Sequence, residues 1–305
     1  MSTTDAGAPP AEVGEMTPLA TQPKPQSEKV RLAAIILTPF AVFFFVSLSI
    51  IFFYPSASFF VIAFNLFVFL AIVLLRMYSS ASQKYGLQPF WPYQRLSALS
   101  FCAFCVALMI SVYACLHYTE AAFQYESRRV YRNVSPTQKP TAFVDASIIE
   151  FSASTFVNRA QAVGFKNHDV FCVAPVQDHN GGEVNFFAAG KNCCQSRVAI
   201  TCDAVGHESA RTGMVMLSDT WPSSIEHDLF EEAAKMAAAD FGFEVAEHPI
   251  FVTWVDDADT VIDGFHSSAV TYFVVWNLVY GIICCITAYA LSGRVHEDLK
   301  RLRRK

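Results

Sequence analysis

Charge is what this chain has least of. Only 16% of its 305 residues are Asp, Glu, Lys or Arg, against roughly a quarter in an average soluble domain. Four runs, residues 32–53, 59–75, 96–118 and 269–291, contain none of the four. Catalytic signatures are missing as well. There is no G-x-S-x-G elbow, no H-E-x-x-H helix and no phosphate-binding loop, so the hydrolase and nucleotide-binding classes that depend on them find no support. No internal repeat is visible. Ionisable residues at mid-membrane, which mark pumps and carriers, are absent too, and Asn65 and Asn277 are the strongly polar side chains well inside the runs. No catalytic residue, metal or cofactor is assigned.

What is there is membrane composition: 53% hydrophobic residues and a mean hydropathy of +0.33. Each run is near the ~20 residues that a helix needs to cross a hydrocarbon core. The sequence therefore predicts four transmembrane helices. Positive charge orients them. Lys24, Lys29 and Arg31 precede the first run; Arg76, Lys84 and Arg95 lie between the second and third; Arg294, Lys300, Arg301, Arg303, Arg304 and Lys305 follow the fourth. All fall on one side of an even-numbered topology, which the positive-inside rule makes cytoplasmic. Both termini are then cytoplasmic and residues 119–268 are extracellular or lumenal. That segment carries 21 acidic and 10 basic residues, a balance that argues against nucleic acid. The expected organisation is a disordered tail (1–30), three helices with short loops (31–118), the ectodomain (119–268), a fourth helix (269–291) and a basic tail (292–305). The fold class is a membrane all-α four-helix bundle with an α+β extracytoplasmic domain inserted between helices 3 and 4.

Within the third run Ala103, Ala107, Ser111 and Cys115 recur every fourth residue, and the fourth has Asn277, Gly281 and Cys285. Small faces let helices approach closely in lipid, so the third and fourth helices are expected to pair through Ala103, Ala107, Ser111 and Gly281. Pro39 is expected to kink the first helix. Residues 54–58 read as the turn between the first two. Pro89, Phe90, Trp91, Pro92 and Tyr93 read as an interfacial aromatic belt.

In the outer segment, short β-branched or aromatic runs at 141–151, 170–176, 184–189, 209–217 and 250–255 read as strands, the second and third as a hairpin. Ser223 with Glu226 forms a capping box. Ile225, Leu229, Ala233 and Ala237 make an apolar stripe and Phe241-Gly242 a stop, which predicts a helix. Five of the nine cysteines (102, 105, 115, 284 and 285) are inside apolar runs and read as packing residues, including the Cys102-x-x-Cys105 spacing. The other four, Cys172, Cys193, Cys194 and Cys202, share an oxidising compartment and predict two disulfides. Adjacent residues in extended chain face opposite ways, so Cys193 and Cys194 take different partners, one Cys172 and the other Cys202. Which takes which is open. His168, His179 and His207 each adjoin a carboxylate, the pattern of a pH-sensing or metal-binding surface. Asn133-Val134-Ser135 is a glycosylation sequon, followed directly by Pro136.

Four spans and a large outer loop with a Cys-Cys pair resemble the tetraspanins in topology. Gln195 follows the pair, however, where tetraspanins have Gly, and the outer segment reads rich in strands where theirs is helical. A closer likeness is to uncharacterised multi-pass membrane proteins of dinoflagellates and related algae. It is carried by Cys172-Val-Ala-Pro, Phe186-Phe-Ala-Ala-Gly, Cys193-Cys194, Cys202-Asp203 and Ala210-Arg211-Thr-Gly213, within residues 140–260. That resemblance implies a shared ectodomain and no assigned activity. The leading expectation is a membrane protein that presents its ectodomain for partner binding or complex assembly. Its partners would be membrane lipid, another protein through the ectodomain, and further copies of itself. The alternatives are an auxiliary or pore-forming subunit of a transport system, and a metal-dependent or redox ectodomain enzyme.

Overall fold

The structure is a computed structural model that describes residues 28–84, 91–179, 182–194, 200–217 and 223–302. The tail before residue 28, Pro89 and Phe90 of the aromatic belt, Gly181, Gln195 and the last three residues lie outside the described residues, as do the side chains of Trp91, Pro92, Tyr93 and Ser223. The chain divides into an apolar helical part and a separate mixed-sheet domain. Among the described residues three helical stretches are long and apolar enough to cross a membrane: Ile36–Ala81, Arg95–Ser127 and Ala258–Ala290.

The first stretch joins two of the expected spans. Helix α1 (Glu28–Leu48) runs through a π-helical turn, Ser49–Phe53, into α2 (Tyr54–Lys84). The turn expected within residues 54–58 is present as a sharp break between two helical segments. The break is at Ala57, with φ −142° and ψ 46°. Direction changes there, because Asn65 Nδ2 donates to Ser49 Oγ at 3.1 Å. Sixteen residues of straight helix would hold those groups about 24 Å apart. Helix α3 (Trp91–Ala114) continues through a second π-helical turn, Cys115–Thr119, into α4 (Glu120–Ser127).

Packing corrects the expected helix pairing. Ala103 and Ala107 are wholly buried, but in a cluster with Phe43 and Val46 of α1. Gly281 faces Phe40, whose Cε2 lies 3.4 Å from where a Cβ would stand. Phe43 stacks on Tyr280 with ring centroids 4.2 Å apart. Helix α1 therefore receives the small faces of both α3 and the last helix, α6 (Ala258–Leu302), which meet each other mainly at their outer ends, where Ala114 clusters with Ala269 and Tyr113 lies against Tyr272. The physical reason is fit: a Phe-rich helix fills two small-residue faces better than those faces fill each other. Ser111 is buried, and its hydroxyl has no hydrogen-bond partner among the described residues.

The domain is one eight-stranded sheet in the order β1-β2-β7-β8-β6-β5-β3, with β4 also on β5. The strands are β1 (Arg129–Val134), β2 (Ala146–Phe151), β3 (Phe156–Val157), β4 (Val163–Asn167), β5 (Asp169–Gln177), β6 (Val184–Lys191), β7 (Thr212–Val215) and β8 (Val245–Val255). The expected hairpin is β5–β6, antiparallel, with Cys172 opposite Gly190. The pairs β1–β2 and β6–β8 are parallel.

Helix α5 (Ser223–Phe241) covers one face. It ends where Gly242 takes φ +70° and donates to the Ala238 carbonyl, the left-handed stop that glycine permits. Its buried stripe is Phe230, Ala233, Ala234 and Ala237, packed on Val163, Phe171, Val173, Phe187 and Phe251. Ile225, expected on that stripe, is exposed. The opposite face carries the larger core, in which Phe151, Phe186 and Trp254 pack with Cys172, Ile200 and Cys202.

Candidate interaction surface of the sheet domain

The four outer cysteines come together at one end of the β5–β6 hairpin. Cys172 pairs with Cys194 and Cys193 with Cys202, with Cα separations of 5.8 and 5.1 Å. The chain reaches this arrangement through Asn192, which adopts φ 57° just after β6. Its main-chain N–H donates to the Val170 carbonyl at 2.7 Å, its Oδ1 accepts from the Val170 N–H at 2.9 Å, and its Nδ2 donates to Asp169 at 3.0 Å. Asparagine tolerates the left-handed region, and its side chain here imitates a further rung of the ladder. The two strand ends are thereby tied before the disulfides begin. Beyond them, Thr201 donates to the Cys193 carbonyl through both its N–H and its hydroxyl.

Next to this knot the surface is polar. Lys191 forms an ion pair with Glu226 of α5 and lies over the Phe171 ring, 5.8 Å from its centroid. Partly exposed pairs of this kind stabilise by about 0–1 kcal/mol each, so their use is in fixing side-chain positions.

The histidines do not converge. His168 occupies the bend between β4 and β5 at φ 59°, His179 rests against the Phe156 ring, and His207 is hydrogen-bonded through Nδ1 to Asp256 at 2.7 Å, not to its neighbour Glu208. Among the described residues no three His, Cys, Asp or Glu side chains gather as a metal ion would need. Asn133 of the sequon is exposed at the end of β1 at φ 55°, while Val134 and Pro136 beside it are buried.

Sequence reasoning missed how the domain is fastened to the helices. Ala122 of α4 and Ala258 and Ile262 of α6 pack on Ile148, Met214 and Val255 of the sheet, flanked by Tyr125 and Phe265. Tyr125 donates its hydroxyl to the Val215 carbonyl at 3.2 Å, and His266 meets Glu126 at 2.9 Å. Asp257 caps α6, accepting from the Asp259 N–H at 3.2 Å and the Thr260 hydroxyl at 2.7 Å; those bonds hold its carboxyl below the usual carboxylate range. That cap was readable, since Asp257 directly precedes the helix and Thr260 stands three residues on. The clamp was not, because its sheet residues come from three separate strands.

No protein-family profile, no curated protein and no solved structure matches this chain. The arrangement itself defines the class: apolar helices long enough to cross a membrane, carrying a disulfide-bonded mixed-sheet domain packed directly on two of their ends.

Proposed function

We propose that the chain is a multi-pass membrane protein whose sheet domain, on the outer or lumenal side, binds a protein partner or joins an assembly. The carrying observation is the clamp. The domain packs on α4 and α6 through buried apolar side chains, so a partner held by the sheet is also held in register with the bilayer. Two disulfides support placing the domain in an oxidising compartment. The reversal at Ala57 supports four crossings, because the 46 residues of the first stretch would extend about 69 Å if straight, over twice a hydrocarbon core. Even-numbered crossings and the one-sided positive charge support cytoplasmic termini. The likeness to dinoflagellate and algal membrane proteins belongs to the same reading, as a shared ectodomain.

The test has two stages. Protease added to sealed cells should spare tags at both termini and cut within the domain only after reduction; digestion of either tag would overturn the topology. Crosslinking of intact protein in native membranes, read by mass spectrometry, should then yield intermolecular links on the exposed surface near Lys191. Links confined to the helices, or none to another protein, would defeat the partner-binding role.

A further inference from the structure

At the end of the helices away from the sheet domain, α2 and α3 leave a groove of about 370 Å³ between them. The rings of Phe69, Phe101 and Phe104 pack together where it ends inside the helical part, with Phe69 at 6.4 Å from Phe101 and 5.8 Å from Phe104. From there Ile72, Val73, Phe101 and Cys102 form its inner walls. Ile72 is buried on the floor, while Phe101 and Met77 stand exposed along the rims. Ser97 and Ala98 line the mouth, and both are too small to close the gap to α2.

Charge is confined to that mouth. Among the described residues Arg76 is the charged member of the lining, and no carboxylate is part of it. Arg76 directly follows the uncharged run 59–75, and Arg95 directly precedes the uncharged run 96–118. The two cations therefore stand at one apolar boundary. Arg95 is half-buried, and it precedes Ala98 by three residues and Cys102 by seven, which places it on the groove-lining face of α3. Arginine lays its stem along apolar surface and keeps its guanidinium at the polar level. The planar fork of N–H donors then fits phosphate oxygens in pairs. A groove that is apolar along its length and cationic at the boundary complements a molecule with a hydrocarbon chain and an anionic head. A neutral lipid would leave the cationic end without its counterpart.

We propose that this groove binds an anionic glycerophospholipid, its phosphate held by Arg76 and Arg95 and one acyl chain lying along Ile72, Val73 and Phe101. The proposal rests on these helices lying in a bilayer, and the experiment separates the two. Full-length protein would be reconstituted into phosphatidylcholine vesicles holding a small fraction of phosphatidylglycerol with a photoreactive acyl chain. Phosphatidylcholine with the same reactive chain would serve as the zwitterionic counterpart. Flotation with the vesicles after an alkaline wash reports insertion, and labelled peptides report the site. The expected result is labelling within residues 72–77 and 97–102 by the anionic probe, displaced by unlabelled phosphatidylglycerol. It should fall about fivefold for Arg76→Gln, the loss of one cation beside an anionic headgroup. Ala98→Trp, which fills the groove and keeps both arginines, should reduce labelling as well. Lys84→Gln, which removes a positive charge about two helical turns further along α2, should not. Equal labelling by the zwitterionic probe, a loss for Lys84→Gln as large as for Arg76→Gln, or labelling that Ala98→Trp leaves unchanged overturns the site, as does its absence from those segments. Protein that floats in those cases keeps its bilayer reading. Failure to float overturns the bilayer reading, and this proposal with it.

Discussion

Gly190 lies directly beneath Cys202: a Cβ on Gly190 would stand 2.5 Å from Cys202 Sγ, and 2.9 Å from Cys193 Sγ. The bridge between those cysteines can cross β6 only because that position has no side chain. Gly190→Ala should therefore destabilise the domain by about 1–3 kcal/mol, the cost of overpacking a filled site. Thermal unfolding would measure it, beside non-reducing peptide mapping of the parent, which should recover Cys172–Cys194 and Cys193–Cys202. An alanine variant of parental stability with both links intact would contradict the close approach.

Gly213 of β7 has a similar constraint with a different neighbour. A Cβ there would lie 2.8 Å from both Cβ and Cγ2 of Val252, a wholly buried residue of β8. Gly213→Ala should cost about 1–3 kcal/mol. Val252→Ala should cost about as much by leaving a cavity. Combined, the two should cost less than their sum, since losing Cγ1 and Cγ2 removes two of the three close contacts and leaves the one with Cβ. Strict additivity in denaturant unfolding would show that these strands do not meet in this register.

Asp257 carries a pH dependence whose sign is set by its caps. The bonds from Thr260 and Asp259 lower its carboxyl below the ordinary 3.8. Its contribution is then fully present above the unfolded value and is lost as pH falls through the lower folded value. The stability difference between the parent and Asp257→Asn should be flat above about pH 5 and shrink as the pH drops below about 4. A difference that grew on acidification would show that the carboxylate is not the acceptor.

The place of α1 between α3 and α6 is checked by paired cysteines in a background lacking the native span cysteines. Phe40→Cys with Gly281→Cys should crosslink readily through a short bifunctional reagent, because the Phe40 ring lies 3.4 Å from the Gly281 Cβ position. Ala107→Cys with Gly281→Cys should not. The reverse result would restore the direct pairing of the two small faces.

Much of this architecture can be read from residues alone. The stop at Gly242, the β5–β6 hairpin and the exclusion of a vicinal bridge follow from local rules, and local rules act within a few residues. What escaped is set by distant neighbours. β1 contains Val130, Tyr131 and Val134 but exposes Val130 along with Arg129, Arg132 and Asn133, so it shows no clean alternation and its pairing is set by the parallel edge that β2 offers. β8 begins at Val245 and passes through Pro249, a residue that sequence rules place at strand boundaries. The ladder to β6 shifts register between Val184 and Phe186, which accommodates the missing donor. The face of α5 was misjudged at Ile225 because periodicity gives a stripe but not its limits. The small residues of α3 and α6 lie against α1, and a stripe in the sequence does not name the helix that fills it.

The position of β8 has a consequence for biosynthesis. It is the last strand to leave the ribosome, yet it occupies the middle of the sheet, between β7 and β6. Until it emerges, the antiparallel hairpin that bears Cys172, Cys193 and Cys194 has no link through the sheet to β1, β2 and β7. At translation rates of about 5–20 residues per second, the interval between β6 and β8 lasts several seconds. Thiol oxidation at the hairpin end has that time to proceed, whereas the non-local pairings must wait. Completion of the sheet and delivery of the final apolar helix to the membrane then follow within a few residues of each other. A chain truncated before Val245 should consequently expose an open half-sheet to the quality-control machinery even though its cysteines are already joined.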